Sequence, residues 1–143
     1  MKVKIFRIDK SLPLPAYQTK GAVAFDLYSR LDMEIKAKEV AQIPSNLIIQ
    51  TPKNYMLTVV TRSSTPKRLG LSVPHGIGII DQDFCGSEDE VTIQVYNFTD
   101  QTVKITKGQR IGQATFIRIN KVKWQEIQTV KNKTRGGIGS TGH

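Results

Sequence analysis

Val91 to Asn97 reads VTIQVYN, which sets Val91, Ile93 and Val95 on one side of a two-residue repeat and Thr92, Gln94 and Tyr96 on the other. Side chains of an extended strand alternate between faces, so this is a strand with one face in a core. The same period runs through Lys2–Ile8 (KVKIFRI), Tyr55–Val60 (YMLTVV) and Arg110–Ile119 (RIGQATFIRI). Turn-forming residues separate the runs, as in Leu12-Pro-Leu-Pro15, Thr51-Pro-Lys-Asn54, Thr99-Asp100 and Lys107-Gly108. No amphipathic helix of ten or more residues is legible. The best short candidate is Ser63–Leu69, with Ser63 or Ser64 as cap and Pro66 in its first positions. Many short strands at regular spacing predict an all-β sandwich, jelly roll or barrel.

At 143 residues, one core is the expectation. The single cysteine, Cys85, excludes an intrachain disulfide and a thiolate metal site, and points to a cytoplasmic or otherwise intracellular setting. No run approaches the roughly 20 apolar residues of a membrane span, and MKVKIFRIDK is too charged for the apolar part of a signal peptide. No membrane partner is expected.

Lys and Arg total 21 against 12 acidic residues, a net charge of +9. Five of the acids, Asp81, Asp83, Glu88, Asp89 and Glu90, share one ten-residue stretch without a Lys or Arg, which leaves +14 on the rest. A basic body with one acidic segment suits a metal-assisted phosphate site; a basic surface that merely keeps the protein soluble is the plainer alternative. A nucleic-acid surface would interleave aromatic and basic residues, and one Trp with 7% aromatic content does not supply them, so no nucleic acid is expected.

Four stretches could carry chemistry. In Gly76–Gly86 (GIGIIDQDFCG), two glycines early in an apolar run suggest close approach of another group, such as a base edge, with Asp81 at the rim able to take a proton from water. An ordinary strand ending in an Asp-rich turn accounts for the same residues. Thr61-Arg-Ser-Ser64 offers a guanidinium fork and hydroxyls to phosphate oxygens, or a simple helix cap. Gly136–Gly142 (GGIGSTG) could fold its N–H groups around an anion beside Lys133 and Arg135, or form a flexible tail; it is not a P-loop. Gly108–Gln113 (GQRIGQ) is a tight turn into a strand.

In this order, Gly21–Ser29 (GAVAFDLYS), Arg62-Ser-Ser64, Gly78-Ile-Ile-Asp81 with Gly86, Gly108–Gln113 and Gly139-Ser-Thr-Gly142 resemble the five motifs of the trimeric dUTP pyrophosphatase (dUTPase) family over nearly the whole chain. The resemblance implies a distorted jelly roll, or β-clip, assembled as a homotrimer with active sites shared between subunits. It implies a β domain at 1–130 and a glycine-rich arm at 131–143 that closes over bound nucleotide. The implied reaction is hydrolysis of dUTP to dUMP and pyrophosphate. Asp81 would deprotonate the water that attacks the α-phosphorus, and Mg²⁺ on the triphosphate would stabilise the leaving group. Asp26 would contact a metal-bound water. Arg62, Ser63, Ser64 and Gln113 would bind phosphates, Ser140 and Thr141 would reach the distal ones, and Gly139 lies in the same motif. His75 to Ile80, with Gly78, Ile79 and Ile80, and the facing strand around Thr92 would select uracil through the backbone, leaving unpaired polar groups against cytosine.

The chain departs from the family pattern at several places. Ser64 stands for the usual Gly, and Phe84 for the Tyr against the deoxyribose. Ile138 replaces the aromatic that stacks on the base. The usual arm arginine is Lys133, with Arg135 two residues on, and either could meet the γ-phosphate. Ser87–Glu90 is about three residues longer than the usual connection and could shift the hairpin. Two rival readings exist. A dCTP deaminase or bifunctional enzyme on the same fold would need a glutamate where Gln94 stands, and an inactive nucleotide-binding regulator would not need Asp81 and Asp26.

Overall fold

The structure, a computed structural model, describes residues 1–137. In chain order the strands are β1 (Lys4–Arg7), β2 (Phe25–Tyr28), β3 (Met33–Ile35), β4 (Val40–Pro44), β5 (Leu47–Gln50), β6 (Tyr55–Thr61), β7 (Leu71–Ser72), β8 (Gly78–Ile80), β9 (Thr92–Asn97), β10 (Val103–Ile105) and β11 (Arg110–Arg118), with one helix, α1 (Thr65–Leu69), before β7. The expected all-β class holds, and the four runs with period two are β1, β6, β9 and β11.

The alternation of VTIQVYN is met residue by residue. Val91, Ile93 and Val95 are at most 1% exposed, while Thr92, Gln94 and Tyr96 are half-buried on the other face. Fully burying an aliphatic side chain of this size stabilises the fold by about 2 kcal/mol, so β9 alone anchors much of the core. Leu27 of β2, Ile43 of β4, Leu57 and Val59 of β6, and Ile111 and Ala114 of β11 complete it.

Two larger sheets carry the site. One has the order β2-β11-β6-β8 and the other β4-β9-β7; the pairs β1-β5 and β3-β10 flank them. All pairings are antiparallel. A bulge between Arg110 and Gly112 bends the start of β11 against β2.

Asn97 ties the end of β9 to its surroundings. Fully buried, its amide donates to the carbonyls of Ile35, Lys36 and Gln101, and its Oδ1 accepts from the Thr99 N–H and hydroxyl.

The helix begins later than the sequence suggests. Ser64 occupies the N-cap position with helical angles (φ −83°, ψ −15°) and makes no side-chain cap, because a hydroxyl reaches the first-turn N–H groups from an extended backbone. Pro66 sits in the first turn as expected.

Candidate active site

Asp26, Gln113 and Val60 are register partners across β2, β11 and β6, so their side chains share one face of the four-stranded sheet. Arg62 follows Val60 by two residues and continues the row. Asp26 is 5% exposed. Its Oδ1 forms an ion pair with Arg62 Nε at 3.0 Å, and its Oδ2 accepts a hydrogen bond from Arg110 Nη1 at 3.2 Å. The bulge at the start of β11 lets Arg110 reach back over β2. Both carboxylate oxygens are therefore engaged by guanidinium groups.

The two arginines open onto a cleft of about 220 Å³, lined also by Ser64, Thr65, Arg68 and Gln109. Ser64 thus serves the cleft wall rather than a cap. Gln109 is spent on its own turn, where Oε1 accepts from the Thr106 N–H at 3.0 Å. Ser63 is exposed and Gln113 half-buried; neither lines this cleft. From the sequence, no role was assigned to Arg68, Gln109 or Arg110. Arg110 lies inside the Gly108–Gln113 motif, but only the bulge reveals where its side chain goes.

A second cleft, about 190 Å³, is lined by His75, Gly78, Ile79, Ile80 and Thr92, joined by Gln42 and Gln94. The expected base-binding residues are brought together, although not as one hairpin. β8 pairs with β6, and Thr92 pairs with Pro44 of β4, so the two walls belong to different sheets. The glycines also have other reasons than room for a base. Gly76 has φ +81° with open space around it, and a Cβ on Gly78 would come 3.2 Å from the Val59 carbonyl oxygen across the ladder. Phe84 is 38% exposed and borders neither cleft.

Asp81 follows β8, exposed, in a third and wider cleft with Asp83, Tyr55, Ile80 and Lys121. The antiparallel register places it beside the Tyr55–Met56 end of β6, whereas Arg62 leaves the other end. Six residues of strand separate Met56 from Arg62, roughly 20 Å at about 3.3 Å per residue.

The acidic segment does not form a metal-handling cluster. Glu90 accepts from Arg30 Nε and Nη2 and from the Asn46 N–H, and Asp89 accepts from the Gly86 N–H. Glu90 raises the proton affinity of the Arg30 guanidinium through this hydrogen bond. The long connection is thereby pinned to β2 and the β4–β5 turn. No group of three or more His, Cys, Asp or Glu side chains arranged for a metal occurs among the described residues.

Lys133 and Arg135 are exposed, in a stretch without strand or helix. Ile138, Gly139, Ser140 and Thr141 lie outside the described residues. No helix among the described residues is long and apolar enough to cross a membrane.

The fold and clefts define an all-β protein with a cationic cleft, an amide-ringed cleft between sheets and an exposed carboxylate at a strand end. The dUTPase family model matches residues 10–142. A deoxyuridine 5'-triphosphate nucleotidohydrolase from Dictyoglomus turgidum is 37% identical over 148 residues, with 99% of each chain covered. One from Thermoanaerobacter is 33% identical, covering 99% of this chain and 97% of its own. The crystal structure of dUTPase from Streptococcus mutans superposes with a TM-score of 0.78 at 27% identity, over 87% of this chain and 100% of that one. The dUTPase of Staphylococcus bacteriophage 80alpha with dUpNHpp shares the fold, with a TM-score of 0.85 at 19% identity and 99% coverage of both. The chain belongs to the dUTPase family.

Proposed function

We propose that this chain is an intracellular dUTP diphosphatase that works as a homotrimer, converting dUTP and water to dUMP and pyrophosphate at sites shared between subunits. One observation carries the shared-site reading. Asp81, at the end of β8, lies beside the Tyr55–Met56 end of β6, and Arg62 follows the other end, roughly 20 Å away and farther than one triphosphate can span. A base and a phosphate cleft that distant serve the same nucleotide only when they come from different copies.

In such a site the Asp81 carboxylate accepts a proton from water as its oxygen attacks the α-phosphorus. The bond from that phosphorus to the bridging oxygen breaks, and pyrophosphate leaves. Arg62 and Ser64 hold phosphate oxygens, and Ser63 and Gln113, which do not line that cleft, join them from the same motifs. His75, Gly78, Ile79, Ile80 and Thr92 surround the base, and Phe84 stacks on the sugar. The arm from 131 onward closes over the nucleotide, with Lys133 or Arg135 toward the γ-phosphate and Ile138 to Thr141 over base and phosphates.

Mg²⁺ bound to the triphosphate would supply positive charge against the leaving pyrophosphate. Asp26, with both oxygens committed to arginines, is a poor holder of a metal-bound water as it stands; its carboxylate fits the task of aiming Arg62 and Arg110.

Incubation with dUTP, dCTP, dTTP and UTP plus Mg²⁺, with assays for pyrophosphate and ammonia, tests the activity. Pyrophosphate from dUTP alone is expected. Ammonia from dCTP would assign deamination instead, against the Gln94 amide in the base cleft, which cannot take a proton.

A further inference from the structure

Arg68 is the arginine of the cationic cleft that none of the five motifs contains and that, among the described residues, no ion pair engages. It sits in the last turn of α1 and lines the cleft with Arg62 and Arg110. Asp26 engages those two, and among the described residues Arg68 has no carboxylate within ion-pair distance. Three guanidinium groups against one buried carboxylate leave the cleft with a surplus of two positive charges. Its other polar walls, Ser64, Thr65 and Gln109, are neutral.

The backbone beneath Arg68 is held in place. Thr65 is buried at the start of α1, and Gly70 closes its end in a left-handed turn (φ +65°) whose N–H donates to the Pro66 carbonyl at 3.0 Å. The side chain therefore projects a free fork of donors from a fixed base into a cleft already built for anions.

We propose that Arg68 is a further substrate-binding residue, meeting the pyrophosphate portion of the nucleotide beside Arg62. This rests on the reading of a nucleoside triphosphate as substrate. A guanidinium offers two parallel N–H donors to phosphate oxygens, where a lysine offers a point charge. In this chain the arm presents Lys133 at the position the family gives to arginine, so Arg68 supplies a fork from the folded domain instead.

The test uses the full chain and its Arg68→Gln and Arg68→Lys variants, with calorimetric binding of dUpNHpp and of dUMP and steady-state hydrolysis of dUTP. Arg68→Gln is expected to weaken dUpNHpp and raise KM by about tenfold while dUMP binding stays within about twofold, because dUMP lacks the β- and γ-phosphates. Arg68→Lys should fall between the two. The thermal midpoint should not move, since Arg68 is exposed. Unchanged dUpNHpp affinity, or an equal loss on dUMP, would overturn the assignment. A wild-type protein that neither binds dUpNHpp nor turns over dUTP would overturn the substrate reading beneath it.

Discussion

Asp26 shows how one buried carboxylate organises a cationic site. Its partners Arg62 and Arg110 have side chains 28% and 43% exposed, so solvent screens part of each attraction. Asp26→Asn puts an amide N–H₂ against a guanidinium group and is expected to cost about 1–2 kcal/mol in urea unfolding, with weaker dUpNHpp binding. Asp81 is exposed and, among the described residues, its side chain makes no hydrogen bond or ion pair, so Asp81→Asn should leave unfolding unchanged. Its kcat should drop by about 10²–10⁴, the usual worth of a general base, while dUpNHpp still binds. At Asp9, Lys107 and then the Ser11 side chain and N–H hold the carboxyl well below the usual carboxylate range. The unfolded chain takes up that proton near pH 3.9, so the stabilisation is complete above about pH 4 and is lost as pH falls toward the folded value. The gap in thermal midpoint between the wild type and Asp9→Asn should stay constant from pH 8 to 5 and shrink below about pH 4.

Among the elements, β9 was legible in full, and β8 only as an apolar run that could end in an Asp-rich turn, without its partner. β9 has six residues of clean alternation, whereas β8 has three, with a glycine, and its partner is set by a ladder to β6 that no local pattern announces. The sequence places His75–Ile80 opposite Thr92, and the structure keeps them facing, but across a gap between sheets. The short helix was legible from Pro66 and its N-cap position from Ser64, yet the missing side-chain cap was not, because it depends on the backbone angles of Ser64. Asn97 marks the end of β9 for a reason invisible in the strand itself: three carbonyls from other segments converge on its amide. Asn97→Ala leaves buried carbonyls unpaired and should destabilise the fold by about 2–3 kcal/mol in urea unfolding, with β9 fraying first in hydrogen exchange.

At the scale of the whole molecule, Asp81 and the cleft of Arg62 lie toward opposite ends of β6, and the proposed site needs both, one from each of two copies. Subunit mixing checks this directly. Asp81→Asn and Arg62→Ala chains, each inactive alone, should regain activity when unfolded together and reassembled. With random mixing, about a quarter of shared sites pair an intact Asp81 with an intact Arg62 from a neighbour. No recovery would place both residues in one chain's site. The purified protein should sediment as a trimer of its 16.0 kDa chain.

The sequence by itself determined the all-β class, through the alternation in β1, β6, β9 and β11, and the family, through five ordered motifs. Those are local facts: side-chain period and residue identity need no distant partner. The tertiary structure alone decided that Asp26 faces two arginines, that Glu90 pins the acidic segment to Arg30, and that Arg68 and Arg110 line one cleft with Arg62. Each depends on how segments far apart in the chain pack, with register and one bulge setting Asp26 against Arg110, and a sequence read residue by residue carries no record of that packing.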